Sequence, residues 1–394
     1  MKKTGIIVEY NPFHNGHKYH LEKARENDNL IIAVMSGDFV QRGEPSFINK
    51  WDKAKSCIYE GIDILVELPV FYSTQSAEIF ARGAIGILDY LEANQIIFGS
   101  ETDNIEKLTK ILSLEKNKEF NEALKKNLKS GVSYPTAYNN EIEKFLGKNY
   151  SLNPNDILGL EYLRAINFWN SSIVPNTLKR EGASYHSNEL KNQIASATGI
   201  RKFIFENIDD ILKLKSIENF MPKQSSKIIL KKIKNKEITN VADFYFLIRY
   251  AIISQKEKLK DIQDVEDGFE NRLYEKALKY ENYSEFLNEV ITKRYTIGRI
   301  QRILLHVLLG ITKNVTKNVK KEIPFIKILG FSKAGQLHLK NLKKKQKTKI
   351  LTSLKNVQKN LSEEERKLLE LNENASKIYG IINPYINQNI PIIY

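Results

Sequence analysis

Short apolar runs and stretches of helical periodicity alternate along the first hundred residues. GIIVEY (5–10) reads as a buried strand, and GHKYHLEKAREN (16–27) as a helix with Leu21 and Ala24 on one face. LIIAVMSG (30–37), IDILVELP (62–69) and QIIFGSE (95–101) repeat the strand pattern. FINKWDKAKSCIYEG (47–61) and SAEIFARGAIGILDYLEAN (76–94) supply the helices between them. Continuous apolar strands separated by helices predict βαβ units, a parallel sheet covered on both faces and right-handed crossovers. The expected fold class is therefore α/β, with a Rossmann-like parallel sheet. Ligands in such sheets bind beyond the carboxyl ends of the strands, at the switch point. The polar clusters NPFHNGH, SGDFVQRGEP and GSETDN all follow strands.

The pattern then changes. Lys- and Glu-rich helices are expected from about 104 to 150, a capped amphipathic helix over 153–169, and a strand with its loop over 172–182. A Ser/Thr-rich turn runs into a helix over 194–207. Beyond residue 208 the period is helical throughout, so a boundary is expected near 205–215, with a mostly helical second domain over 208–394. One late stretch (322–349) departs from it, reading as a strand, a turn at Gly330 and a basic helix.

Composition narrows the class. Hydrophobic residues make up 42% and aromatics 10% of 394 residues, which indicates a folded protein with a sizeable core. The single cysteine, Cys57, excludes an internal disulfide and a thiolate metal cluster, and suits a reducing interior. No stretch approaches the roughly 18–20 apolar residues of a membrane span. A cytoplasmic location is the expectation. The formal charge of +14 points to a polyanionic partner. A general enrichment in Lys, Asn and Ile explains it equally well, so the placement of the charge matters more than its sum.

HNGH (14–17) lies between a strand and a helix N-terminus. Amides around Gly16 and His17 would favour an anion, and Gly16 would admit a phosphate close to the backbone. The His14 and His17 imidazoles can donate hydrogen bonds as charge shifts at an α-phosphate, a catalytic role. The plain alternative is a surface turn with solvated histidines. His20, one turn on, is expected on the helix surface. IASATGIR (194–201) resembles the Ser/Thr-rich turn plus Arg that closes the triphosphate site in nucleotidyltransferases carrying HxGH. There Ser196 and Thr198 would meet β- and γ-phosphates and Arg201 would neutralise them. Alone, such a helix start is commonplace.

VEYNPFHNGHKYH, MSGDFVQRGEPS, GIDILVELP, SAEIFARGAIGIL, FGSE, PNDILGLEYL and IASATGIRK, in that order, resemble the tRNA(Met) cytidine acetate ligase family of the HxGH nucleotidyltransferase superfamily. The likeness covers roughly the first 205 residues and continues more weakly in 293–306 and 326–335. It implies an ATP-binding nucleotidyltransferase-like domain over 1–207 and a basic, tRNA-binding domain over 208–394. It also implies a reaction in which acetate and ATP give acetyl-adenylate and pyrophosphate, and the acetyl group passes to N4 of the wobble cytidine of elongator tRNA(Met). ATP would lie along Ile7, Val8, Glu9, Tyr10, Asn11, Pro12, Phe13, His14, Asn15, Gly16, His17, Lys18, Tyr19 and His20, with Gly99, Asn155 and Arg180 completing the site.

In-line attack of acetate on the α-phosphate needs positioning and charge neutralisation rather than a protein nucleophile. Ser36 and Asp38, at the end of the second strand, are expected to hold acetate or shape its pocket; Asp38 as a loop cap is the alternative. Magnesium accompanying ATP is plausible, though no carboxylate cluster for a protein-held metal is recognisable. For RNA the candidates are Lys293, Arg294, Arg299 and Arg302, with Tyr295 available for stacking. Lys343, Lys344, Lys345, Lys347 and Lys349 form a second basic run. The competing readings are a small-molecule adenylyltransferase and a non-catalytic RNA-binding protein.

Overall fold

Seven consecutive buried residues, Leu30–Ser36, form a central strand of the sheet in the computed structural model. The structure describes residues 2–26, 29–132, 134–180, 195–292, 295–345, 349–355, 360–385 and 390–394. The strands are β1 (Lys3–Val8), β2 (Leu30–Ser36), the short pair β3 (Phe39–Val40) and β4 (Glu44–Pro45), β5 (Ile64–Leu68), β6 (Gln95–Ser100), β7 (Val174–Lys179), β8 (Ile326–Phe331), β9 (Ile350–Leu351) and β10 (Ile392–Ile393). In space the main sheet runs β10-β8-β5-β2-β1-β6-β7, with β9 beside β8. β1, β2, β5, β6 and β7 are mutually parallel where they pair, and β8 is antiparallel to β5.

The helices that matter for the site are α1 (Asn15–Arg25), α2 (Lys50–Tyr59), α3 (Ala77–Tyr90), α4 (Pro154–Phe168), α5 (Ala197–Glu206), α6 (Tyr245–Ser254), α7 (Phe269–Lys279), α8 (Ile297–Leu309), α9 (Lys333–Lys344) and α10 (Glu363–Ile382). Alternate residues of β2 serve opposite faces. Ile32 and Val34 join Leu88, Leu160 and Leu163 in one apolar cluster, whereas Ile31, Ala33 and Met35 join Leu21, Ala24 and Trp51 in another. Each buried Ile, Val, Leu or Met side chain contributes about 1.5–3 kcal/mol, so a strand apolar at every position before Ser36 is fixed at the centre. Gly5 lets α3 close on β1, since a Cβ there would sit 2.7 Å from Leu88 Cδ1.

The chain runs β1, β2, β5 outward in one direction, then β6 and β7 in the other. The change of direction beside β1 is the switch point, and HNGH begins there. The mainly parallel sheet and the helical segments after it agree with the expected class.

Two features differ from the expectation. The sheet takes strands from both ends of the chain, because β8, β9 and β10 return from the later half. Gly330 is not in a turn but within β8, paired with Leu65 and Ile392. Its neighbour β5 has no partner on that side from the first half, so the late apolar run completes the sheet. The expected division at 207/208 also falls inside one apolar cluster that joins Ile200 and Ile204 to Leu214, Ile217, Met221, Ile229 and Ile233. A separate helical core gathers α6, α7 and α8 around Phe244, Leu273, Phe286 and Leu304, and reaches Phe39 on β3.

Candidate active site

The first turn of α1 is built by two histidines. His14 occupies the cap position, its Nδ1 accepting the Gly16 N–H at 3.1 Å, while His17 Nδ1 accepts the His14 N–H at 3.3 Å. A reciprocal cap satisfies two otherwise orphaned donors of the helix start. The rings stack with centroids 3.7 Å apart. An accepting Nδ1 puts the proton of neutral His14 on Nε2, the edge turned away from the cap. Burial, with Arg180 nearby, brings the His14 pKa down to about 3, and burial also depresses His17 strongly. Both rings are neutral hydrogen-bonding groups in this setting. The loop is braced from the later chain, Asn15 N–H donating to the Phe220 carbonyl at 2.9 Å and Asn15 Nδ2 to that of Asn219 at 3.0 Å.

His14, Gly16 and His17 line a cavity of about 370 Å³. Ser196, Thr198 and Arg201 line it from the start of α5, and Gly99, Asn155 and Arg180 from β6, α4 and the end of β7. Two motifs 180 residues apart thus share one space. Ser196 caps α5 by accepting the Gly199 N–H at 3.0 Å. Arg201 spans the mouth, donating to the Asn11 carbonyl at 2.7 Å and to Glu44 at 3.2 Å. Arg180 donates to Asn155 Oδ1 at 3.0 Å, and Gly99 lies beneath it, where a Cβ would come within 3.2 Å of Arg180 Cγ. Asn155 Nδ2 in turn donates to Glu101 Oε1 at 2.5 Å. Glu101 also accepts the Asn155 and Asp156 amides, anchoring the N-terminus of α4 on the end of β6. Glu101 is not on the cavity wall but orients Asn155, a part the sequence signalled only by its place in FGSE and GSETDN.

Of the stretch Ile7–His20, the residues Ile7, Val8, Glu9, Tyr10, Asn11, His14, Gly16, His17, Tyr19 and His20 line the cavity, whereas Pro12, Phe13, Asn15 and Lys18 are not on its wall. Phe13 is buried instead, with its ring edge against Tyr10. His20 is not on the outer surface of α1 as expected: its Nε2 lies 2.9 Å from the Ile97 carbonyl, which turns the ring toward β6. Val40, Gln41, Arg42 and Glu44 form another part of the wall. Their signal in the sequence was the charged QRGEP loop after the second strand.

Ser36 and Asp38 do not line this cavity. Asp38 is buried; Oδ1 accepts the Lys50 N–H at 2.7 Å and Oδ2 accepts from Ser376 at 2.8 Å and Tyr385 at 2.9 Å. It ties α10 to the end of β2, a structural duty that its sequence neighbours do not reveal. Ser36 is fully buried, and its carbonyl accepts from Lys53 Nζ at 2.8 Å. Lys53 Nζ also donates to the Gly37 and Glu9 carbonyls, clamping the ends of β1 and β2, and burial lowers its pKa to about 8.

The expected RNA face is engaged within the protein. Tyr295 is buried and stacks on Phe269 at 3.8 Å between centroids, nearly parallel, which occupies the ring face a base would need. Arg299 pairs with Glu266 at 2.7 Å and lies over the Tyr295 ring. Arg302 is mostly buried, its Nε without a hydrogen-bond partner among the described residues, and its backbone abuts Gly43. Lys293, Arg294 and Lys347 lie outside the described residues. Lys345 pairs with Glu92, and Lys349 with Glu322 and Glu365. No helix among the described residues is long and apolar enough to cross a membrane.

The sequence matches the HIGH Nucleotidyl Transferase family over residues 1–390. It is 49% identical to a tRNA(Met) cytidine acetate ligase of Fusobacterium nucleatum, across 99% of this chain and 98% of that one. It is 40% identical to the tRNA(Met) cytidine acetate ligase of Caldicellulosiruptor saccharolyticus, across 97% and 94%. The fold superposes on the apo crystal structure of Thermotoga maritima TmcAL with a TM-score of 0.91, at 30% identity, covering 100% of this chain and 99% of that one. A second structure of the same Thermotoga protein, bound with alpha-thio ATP, gives 0.88.

Proposed function

The chain belongs to the tRNA(Met) cytidine acetate ligases within the HIGH nucleotidyl transferases, and from that premise we infer that it activates acetate with ATP and acetylates N4 of a cytidine in tRNA(Met). The wobble cytidine of the elongator tRNA is the proposed acceptor. The observation that carries the reading is the convergence of His14, Gly16 and His17 with Ser196, Thr198 and Arg201 on one cavity.

In this reading the triphosphate lies between the starts of α1 and α5, where the positive ends of two helix dipoles face it. The first-turn amides of α1 are themselves hydrogen-bonded within the protein. The His14 Nε2–H donates to an α-phosphate oxygen as acetate attacks in line and pyrophosphate leaves. Arg201 exchanges part of its bonding to Glu44 for phosphate oxygens. Gly99, Asn155 and Arg180 hold the nucleoside end, the hydrogen bond from Arg180 to Asn155 fixing the guanidinium before ligand arrives. Ser36 and Asp38 act indirectly, by holding the end of β2. Magnesium is proposed to enter on the phosphates of ATP; the described residues contain no group of three or more metal-ligating side chains that could hold it alone. The tRNA is proposed to approach from the helical side, past the β3–β4 hairpin.

The test is incubation of the protein with ATP, labelled acetate and bulk tRNA. Label recovered as N4-acetylcytidine, with AMP and pyrophosphate released in equal amounts, is the expected outcome. Adenylate transfer to a small molecule with no label in the tRNA would favour an adenylyltransferase instead.

A further inference from the structure

The cavity has more wall than a nucleotide requires. Beyond the residues assigned to phosphates and nucleoside, a second group of lining residues remains: Val40, Gln41, Arg42, Phe80, Tyr162 and Glu9. Two of them are hydrogen-bonded to each other, and the chain beside a third is tied down. Glu9 Oε1 accepts the Gln41 N–H at 2.7 Å, and Ser73, just before α3, donates to the carbonyl of Phe39, next to Val40, at 3.0 Å. The hairpin carrying Gln41 and Arg42 has its other side against the helical part, where a Cβ on Gly43 would meet the Arg302 amide nitrogen at 2.3 Å. The hairpin that lines the cavity through Gln41 and Arg42 thus also touches the helical part from which the tRNA is proposed to approach, and its Gln41 amide holds the Glu9 carboxylate at the cavity wall.

Acylation of an exocyclic amine releases a proton, and the acetate-ligase reading leaves it without an acceptor. Resting on that reading, we propose that the Glu9 carboxylate is the general base that takes the proton from N4 of cytidine during acetyl transfer. The N4 lone pair attacks the acetyl carbonyl carbon and forms the C–N bond. The bond from that carbon to the adenylate oxygen breaks, its electron pair leaving on AMP, and the N4 proton passes to Glu9.

The other groups on the wall are poorly suited to this step. His14 and His17 are too weakly basic, since burial depresses both, and their Nδ1 lone pairs hold backbone amides. Glu44, the other carboxylate among the described lining residues, is paired with Arg201. Lys53, near Glu9 but not on the wall, directs its ammonium at three carbonyls. Around Glu9 stand Lys53 from α2, Arg42 and Glu44 from the hairpin, Arg201 from α5 and Tyr162 from α4. Burial raises the Glu9 carboxyl above its usual range, against the lowering pull of the Gln41 amide, Lys53 and Arg42. A carboxylate whose pKa is raised by burial is a stronger base than a solvated one.

The experiment separates the two half-reactions in the full-length protein: acetate-dependent ATP–pyrophosphate exchange, and single-turnover transfer from preformed acetyl-adenylate to tRNA. Glu9→Gln should lower transfer by about 100-fold more than it lowers exchange, the range expected for a lost general base, and Glu9→Asp should recover part of the difference. The wild-type transfer rate should rise with pH through one ionisation and then level, and this rise should vanish in Glu9→Gln. Equal losses in exchange and transfer, or an unchanged pH profile in the variant, would overturn the proposal. Wild-type protein that exchanges pyrophosphate but never labels tRNA would overturn the acetate-ligase reading itself, a distinguishable failure.

Discussion

A histidine in a helix cap carries two demands at once. His14 must accept a backbone N–H to close α1, and in doing so it becomes a neutral donor toward the cavity. His14→Ala removes both contributions, and ATP–pyrophosphate exchange should fall about 100- to 1,000-fold, as for other donors aimed at developing charge. The same burial makes His14 an acid-sensitive element. Its folded pKa, about 3, lies below the unfolded value of about 6.5. Between these values the unfolded chain binds the extra proton, so stability is full above about pH 6.5 and declines as pH falls below it. His17 and His20 are depressed in the same direction and add to the decline. Thermal unfolding of the nucleotide-free protein at pH 7.5 and pH 5.5 should show this drop, and His14→Gln, which cannot titrate, should show a smaller one. That HNGH opens a helix at the end of a strand was legible, because an apolar run precedes it and helical periodicity follows. The capping role was not, since histidine is outside the usual cap residues and only coordinates reveal which ring atom faces which amide.

Elements are joined by charges that the sequence displays as ordinary surface residues. Lys50, at the start of α2, is fully buried, with Nζ 2.8 Å from Glu67 on β5 and 2.7 Å from Ser376 on α10. Lys327 on β8 reaches the same Glu67 at 3.4 Å and also pairs with Glu373. Burial alone would lower the Lys50 pKa, but Glu67, Asp38 and Glu373 outweigh it and hold the ammonium charged. Lys50→Ala leaves Asp38 and part of Glu67 uncompensated in the interior and should cost about 3–5 kcal/mol, the usual price of breaking a buried pair. Denaturant unfolding measures this, and a loss below about 1 kcal/mol would mean that water or a shift of α10 replaces the ammonium. The sequence pattern located β5, α2 and the 326–331 strand, each within a few residues, because apolar periodicity is local. It did not reveal that Asp38 faces Ser376 and Tyr385, more than 330 residues away in the chain.

For the whole molecule, the net charge of +14 says less than the pairing of individual cations. Arg299 already has Glu266 as partner and Tyr295 beneath it, so its loss should alter the salt dependence of tRNA binding only slightly. The expected change in slope for Arg299→Ala is well under the roughly 0.7 that one neutralised phosphate contributes. A full change of that size would show that Arg299 exchanges Glu266 for a phosphate when tRNA binds. Arg302 should behave as a packing residue, its substitution disturbing the hairpin contact at Gly43 before it affects RNA affinity.

By itself the sequence determined the alternation of strands and helices, the switch point and the helix start at HNGH. Those depend on neighbours within a few residues, and periodicity and capping act at that range. The tertiary structure alone decided which polar groups face the cavity and which are spent inside. Asp38, Tyr295 and Arg302 read as available in the sequence, Glu101 as unremarkable, and Glu9 only as one residue of the nucleotide stretch. Their roles turn on partners distant in the chain and on the loss of water around them, and burial multiplies the strength of a charge or hydrogen bond in a way no local pattern encodes.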